Sequence, residues 1–311
     1  MRAIFMGTPD FAVPTLQAMI DAGHDVVAVF TQPDKAKGRG KSVVYTPVKE
    51  KALEYNIPVY QPVKIREPEM LGKIAELKPE VIVVVAFGQI LPKALLDIPT
   101  YGCINVHASL LPKYRGAAPI QWAVINGEKV SGVTTMHMDV GLDTGDMILK
   151  EEVVLDEKET GGSLHDKLMV TGANLLIKTL DLLKEGKAPK EVQDDTQAGE
   201  YAKMLDKKLG QIDFTKSAEE IERLIRGLNP WPSAYTKFGN KTCKFWMADV
   251  DEKEYDGCPG EVVAVDKQSF TLKTGKGALI VRELQLEGKK RMDAGAFMRG
   301  YAIECGMKFG E

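Results

Sequence analysis

Residues 80–86 read Glu-Val-Ile-Val-Val-Val-Ala, and this run of five consecutive β-branched residues restricts the fold more than any other stretch of the chain. A strand with one face in water alternates apolar and polar residues. A strand apolar on both faces must be covered on both, which is the setting of a central strand in a parallel sheet. Parallel neighbours need crossover connections rather than hairpins, and helical stretches stand where such crossovers belong. Ala3–Met6 reads as a short apolar strand, 11–22 as a helix closed by Gly23, and Val26–Phe30 as a second strand. Thr46-Pro47 offers a hydroxyl cap and a first-turn proline, opening a helix that runs to about Asn56. A helix near 67–77, a strand at 102–108, a helix at 117–125, strands at 130–138 and 147–154, and a long helix at 163–184 complete the pattern. The expected architecture is α/β, a doubly wound and mostly parallel sheet.

The periodicity lapses after residue 185. The expected division is therefore a catalytic α/β domain over 1–189, a linker over 190–206 and a second domain over 207–311. Ser217-Ala-Glu-Glu opens a helix with a capping-box pattern. Short β segments follow at 234–238, 241–248, 260–265, 269–274 and 278–286, as in a small β-barrel of the oligonucleotide-binding type. The four cysteines, at 103, 243, 258 and 305, have no CxxC spacing, so neither a zinc site nor a disulfide framework is suggested, and a reducing cytoplasm fits. The longest wholly apolar run, Val81–Phe87, is far too short to cross a bilayer. The N-terminus enters a strand directly, without the apolar stretch of a signal peptide. The net charge of −3 gives no global sign of a nucleic-acid partner, so the arrangement of charges has to decide.

Chemistry concentrates around residue 105. In the strand 102–108, Ile104 and Val106 lie on one side and Cys103, Asn105 and His107 on the other. Asn105 and His107 therefore project together near the strand's C-terminal end, where open α/β sheets bind ligands. The turn Gly-Leu-Asp-Thr-Gly-Asp at 141–146 brings Asp143 between two glycines, in a loop able to bend a carboxylate toward the neighbouring strand. An amide, an imidazole and a carboxylate with no nucleophile among them suit a reaction in which an oxyanion forms and a proton moves. That is acyl transfer. Cys103 shares the face without a basic neighbour in sequence and reads as packing. The first βα turn, Gly7-Thr8-Pro9-Asp10, has one glycine and a proline, which disfavours a dinucleotide loop. Asp139, Asp143 and Asp146 miss the spacing of a calcium loop, so no metal is expected.

The runs His-Ala-Ser-Leu-Leu-Pro-Lys-Tyr-Arg-Gly-Ala-Ala-Pro-Ile-Gln-Trp (107–122) and Gly-Val-Thr-Thr-Met-His-Met-Asp-Val-Gly-Leu-Asp-Thr-Gly-Asp (132–146) closely resemble methionyl-tRNA formyltransferases. Phe-Met-Gly-Thr-Pro-Asp-Phe-Ala-Val-Pro near the start, Gly-Arg-Gly-Lys at 38–41 and Arg-Gly-Leu-Asn-Pro-Trp-Pro-Ser-Ala-Tyr at 226–235 carry the likeness over nearly the whole chain. The resemblance implies a formyltransferase-type core with a C-terminal barrel that helps hold tRNA. It implies 10-formyltetrahydrofolate as donor and methionyl initiator tRNA as acceptor; apart from the resemblance, a monomer without membrane attachment is expected. It places Asn105, His107 and Asp143 on catalytic positions. Ser109, Leu110, Leu111 and Pro112 fall on a folate-binding segment, and Phe87, Gln89, Ile90 and Leu91 on part of a pterin pocket.

The loop Asp34-Lys-Ala-Lys-Gly-Arg-Gly-Lys41 carries four cations on alternate residues. Such a loop is ordinarily just solvated, yet its charge and glycines also suit a segment that orders on a phosphate backbone. The resemblance assigns Lys37, Arg39 and Lys41 to tRNA, with Arg39 reaching the acceptor stem. Lys237, Lys241, Lys244 and the 289–291 cluster in the barrel are candidates for further phosphate contacts. Three alternatives remain open from the residues alone: formyl transfer to a small amine, hydrolysis of a formyl folate, and a non-catalytic RNA-binding module.

Overall fold

The computed structural model describes residues 1–37 and 42–310. The strands of the N-terminal part are β1 (Arg2–Gly7), β2 (Asp25–Phe30), β3 (Lys35–Lys37), β4 (Ser42–Val44), β5 (Val59–Tyr60), β6 (Val81–Val85), β7 (Cys103–His107), β8 (Val130–His137) and β9 (Met147–Val154). Helices α1 (Val13–Asp21), α2 (Pro47–Glu54), α3 (Pro68–Glu76), α4 (Lys93–Leu96), α5 (Pro119–Ile125) and α6 (Gly161–Lys184) alternate with them. One seven-stranded sheet has the order β5-β2-β1-β6-β7-β8-β9. Its first five strands are parallel, β8 runs antiparallel to β7, and β9 runs antiparallel to β8 and so along the first five. The β-branched run at 81–85 is β6, buried along its whole length, as its composition requires.

The chain leaves β1 for β2 on one side and reaches β6 on the other, which makes the carboxyl edge beside β1 a topological switch point. Loops are cross-tied there. The Phe87 carbonyl accepts from the Thr8 hydroxyl at 3.1 Å and from the Gln32 amide at 3.1 Å. One sheet face closes over Ile4, Met6, Ala28, Phe30, Ile82 and Val84, with Phe87 and Leu91 in the same cluster. On β7, Val106 faces α6, whose Gly172 lies so near that a Cβ there would sit 2.9 Å from Val106 Cγ1.

The chain folds into two compact units. Met1–Gly116, Val130–Val154 and His165–Ala202 form one, and Ala117–Lys129, Leu155–Leu164 and Lys203–Glu311 the other. The second unit holds α7 (Ala218–Gly227), β10 (Ala234–Phe238), β11 (Lys241–Asp251), β12 (Val262–Val265), β13 (Phe270–Lys273), β14 (Ala278–Leu286), β15 (Met292–Asp293) and α8 (Ala294–Gly300). These strands form an antiparallel sheet in the order β10-β11-β14-β13-β12, with β15 on β14. The C-terminal tail joins its two edges: Val262 N donates to Met307 O, Phe309 N to Gly260 O, and Gly310 N to Lys237 O. Pairing both edges to the tail closes the sheet into a barrel and removes exposed edges. Phe245, Phe270, Leu279 and Val281 fill it, with Ile221 and Ile225 of α7 and Phe297 of α8.

Local signals explain the helix starts. Thr46 accepts from Lys49 N at the head of α2, and Ser217 and Glu220 form a reciprocal capping box on α7. The stretch expected as one helix over 11–22 is a short 3-10 turn (Asp10–Ala12) leading into α1. β3, β4, β5, α4 and β15 are elements of two to four residues, too short to impose a readable period. Helix α8 is concealed by two glycines among its seven residues, although Asp293 caps it through Ala296 N. Among the described residues no helix is long and apolar enough to cross a membrane.

Candidate active site

Strand alternation puts Asn105 and His107 on one face of β7, and both are buried, at 9% and 6% exposure. Asp143 reaches them by an indirect route. Strand β8 runs antiparallel to β7, pairing His137 with Ile104, so the 138–146 loop leaves from the far end of β7. That end lies roughly 10 Å from His107 at the rise of a strand. The loop doubles back over the sheet face and brings Asp143 Oδ2 to 3.8 Å from His107 Nδ1. Asp143 adopts φ 55°, a left-handed conformation that a non-glycine residue holds only where the surroundings enforce it. Its carboxylate does not cap its own turn. It crosses to the next loop and accepts from Gly116 N at 2.8 Å. Capping falls instead to Asp139, which accepts from Gly141 N at 2.9 Å and Thr144 Oγ1 at 2.8 Å, while Asp146 pairs with Lys190 at 3.2 Å.

The proton inventory of His107 follows from its partners. Nε2 lies 3.0 Å from the Tyr114 carbonyl oxygen, which can only accept, so Nε2 carries hydrogen. Nδ1 then bears a proton only in the imidazolium, the state able to donate toward Asp143. The Asn105 side-chain amide has no hydrogen-bond partner among the described residues and, although the residue as a whole is 9% exposed, its amide atoms are not shut off from solvent. An amide with its donors and acceptor open to the cleft is free to meet a ligand oxygen. Burial pushes the Tyr201 phenol up, with the Asp143 carboxylate adding to the effect. Burial likewise pushes the Cys103 thiol up to about 12, which makes it an inert packing group.

The segments singled out for folate occupy two loops at the carboxyl edge. The Ser109 hydroxyl donates to Lys113 O at 2.7 Å, and Thr134 Oγ1 donates to Ser109 O and accepts from Leu111 N. Leu111 packs with Met136 and Met147, Leu110 is half-buried, and the Leu111–Pro112 peptide is cis. In the other loop Phe87 and Leu91 belong to the core, and Gln89 braces it by accepting from Ile65 N and donating to Pro62 O. Ile90 is 80% exposed. Of the basic residues, Lys37 ends β3, opposite Ser42 of β4, and Arg39 and Lys41 lie outside the described residues.

Two further groups at the site have roles that the sequence does not mark. Gly116 has φ 126° and lies so close to Ala202 that a Cβ would sit 2.6 Å from its carbonyl oxygen. Gln193, in the aperiodic segment after α6, is buried and donates to the carbonyls of Asp143 and Gly145. Gly116 stands inside the 107–122 run that carries the family resemblance, but no residue type near it or near Gln193 marks a role at the site. Their meaning is set by what the fold brings to them.

The Formyl transferase family matches residues 1–180, and the family described as Formyl transferase, C-terminal domain, matches 204–302. The chain is 57% identical over 316 residues to the methionyl-tRNA formyltransferase of Lachnospira eligens, covering all of both chains. It is 58% identical over 309 residues to that of Agathobacter rectalis, covering 99% of each. Among solved structures, an N-formyltransferase from Helicobacter canadensis in complex with folinic acid and dTDP-3-aminofucose superposes with TM-score 0.68, covering 90% of this chain and 98% of its own at 20% identity. The last likeness speaks for the fold, and the first two, with the matched domains, for the lineage. The chain belongs to the methionyl-tRNA formyltransferase family.

Proposed function

We propose that this chain transfers a formyl group from 10-formyltetrahydrofolate to the α-amine of methionyl initiator tRNA in the cytoplasm, with Asn105, His107 and Asp143 as the reacting protein groups. The observation that carries the assignment is the accessible Asn105 amide, without a hydrogen-bond partner among the described residues, on the same strand face as His107 with its Asp143 neighbour. A free α-amine titrates near ~7.7–8.0 and an ester lowers it further, so much of the acceptor is already a neutral nucleophile. No covalent enzyme intermediate is needed. The amine nitrogen bonds to the formyl carbon as the carbonyl pair moves to oxygen. The bond from that carbon to the folate nitrogen then breaks, and the proton lost by the amine ends on the departing nitrogen. Asn105 stabilises the developing oxyanion, an interaction typically worth roughly 2.7–4 kcal/mol. The His107 imidazolium adds positive charge beside it, and Asp143 orients the ring and assists removal of the amine proton.

Residues 1–189 would perform the chemistry and bind folate through the 87–91 and 109–112 loops, with 190–206 linking to a tRNA-holding domain over 207–311. Support for tRNA binding comes from a groove of about 570 Å³ on the barrel, lined by Trp231, Tyr235, Lys207, Lys237 and Lys244. Trp231 is 55% exposed, a stacking surface among cations, which is what single-stranded nucleic acid binds. The 35–41 segment would add phosphate contacts, Arg39 foremost because its planar fork suits phosphate and base edges. The protein would act as a monomer. A labelled formyl donor offered with initiator methionyl-tRNA, elongator methionyl-tRNA and free amines tests this reading. Label is expected on the initiator charge, and equal transfer to a small amine would remove the tRNA from the assignment.

A further inference from the structure

We infer that Gln193 is a positioning residue for formyl transfer, holding Asp143 against His107 through a fully engaged side-chain amide. The inference rests on the catalytic reading of Asp143 given above. Residue 191 is fixed to the sheet margin, because Glu191 and Met147 exchange backbone hydrogen bonds at 2.9 and 2.8 Å. Two residues on, the Gln193 side chain is 7% exposed and enters the space between the 113–116 and 139–146 loops. Its Nε2 donates to the carbonyl of Asp143 at 2.8 Å and to that of Gly145 at 2.8 Å. Its Oε1 accepts from Arg115 Nε at 2.9 Å. Two carbonyl acceptors on one side and a guanidinium donor on the other leave the amide a single orientation.

That amide holds both ends of the geometry at Asp143. By gripping the carbonyls of 143 and 145 it supports the left-handed backbone of Asp143. By gripping Arg115 it fixes the residue before Gly116, whose N–H donates to the Asp143 carboxylate and directs it. Arg115 is anchored in turn by Asp195 at 2.8 Å and by Ala202 N donating to its carbonyl at 2.8 Å. Residues 191–202 thus form a strap across both loops, with Gln193 as the point where they meet.

Glutamate at 193 would set a carboxylate against two carbonyl oxygens, and methionine would keep the length while offering no donor. Turnover of methionyl-tRNA is measured for Gln193→Glu and Gln193→Met, alone and combined with Asp143→Asn, with thermal unfolding followed in parallel. The expected result is a roughly 10- to 100-fold fall in kcat for either single variant, the scale of a misplaced reacting group. KM for methionyl-tRNA should stay within about threefold, and the Gln193 substitutions should add less than about twofold once Asp143 is Asn. A full multiplicative loss in the Asp143→Asn background would show that Gln193 acts elsewhere or only on stability, and would overturn the inference. Loss of turnover in Asp143→Asn with wild-type kcat in both Gln193 variants would defeat the positioning role alone. Wild-type turnover in Asp143→Asn would defeat the catalytic reading, and the inference with it. Should Gln193→Glu fail to fold, Gln193→Met decides the matter by the same cycle.

Discussion

At His107 the imidazole is 8% exposed, bonded to a backbone carbonyl and faced by a carboxylate that is itself held by a backbone N–H. Around Trp231, by contrast, an indole 55% exposed stands beside lysines on an open groove. Enclosed groups act through position, since a displacement of about 1 Å can cost 10²-fold in rate. Open groups act through charge and stacking, which tolerate side-chain motion and weaken with salt. The first region should therefore govern kcat and the second KM.

Asp143→Asn and His107→Ala should give the largest effects, lowering kcat by roughly 10²–10⁴ with little change in KM for methionyl-tRNA, as read by single-turnover transfer of labelled formyl. A matching rise in KM would blur the contrast between the regions. Trp231→Ala should keep kcat and raise KM for tRNA by roughly 5- to 150-fold, the worth of one stacked base at about 1–3 kcal/mol. An unchanged KM would take the groove out of tRNA binding. Gly116→Ala introduces a Cβ 2.6 Å from the Ala202 carbonyl oxygen and a disfavoured φ of 126°. It should lower kcat about 10-fold and also lower Tm, with about 1–3 kcal/mol of strain. Arg39→Ala should reduce the salt slope of tRNA affinity by about one. An unaltered slope would exclude a phosphate contact by that residue.

The smallest effect concerns pH. Burial, then Lys190, holds the His137 imidazole below its ordinary value in the fold. The unfolded chain then binds more protons as pH falls through the ordinary imidazole range, so stability drops with acid there and levels off below the folded value. His137→Gln should flatten that limb of the Tm profile while leaving kcat near neutral pH unchanged. An identical acid limb in the variant would reject the linkage.

Much of the site is legible in the chain because it is local. Asn105 and His107 share a face by strand alternation alone, and Thr46, Ser217 and Glu220 announce their caps at fixed spacings. Asp143 is visible as a carboxylate between glycines, but a neighbouring strand end would have been a short reach. Antiparallel pairing of β8 puts its loop at the other end of β7, and only the doubling back of residues 138–146 restores the contact. Of the residues singled out in the 87–91 loop, Phe87 and Leu91 are core and Gln89 is a brace, distinctions that no residue type conveys.

Sequence by itself determined the alternation of strands and helices, the capped helix starts, the pair on β7 and the family to which the chain belongs. These follow from periods of two and about 3.6 residues and from motifs in unbroken runs. Tertiary structure alone decided which loop bends back, which backbone N–H meets Asp143, and that Gln193, some fifty residues on, fastens the loops together. Hydrogen bonds between distant segments leave no period in the chain, because each partner is chosen by where the fold sets it.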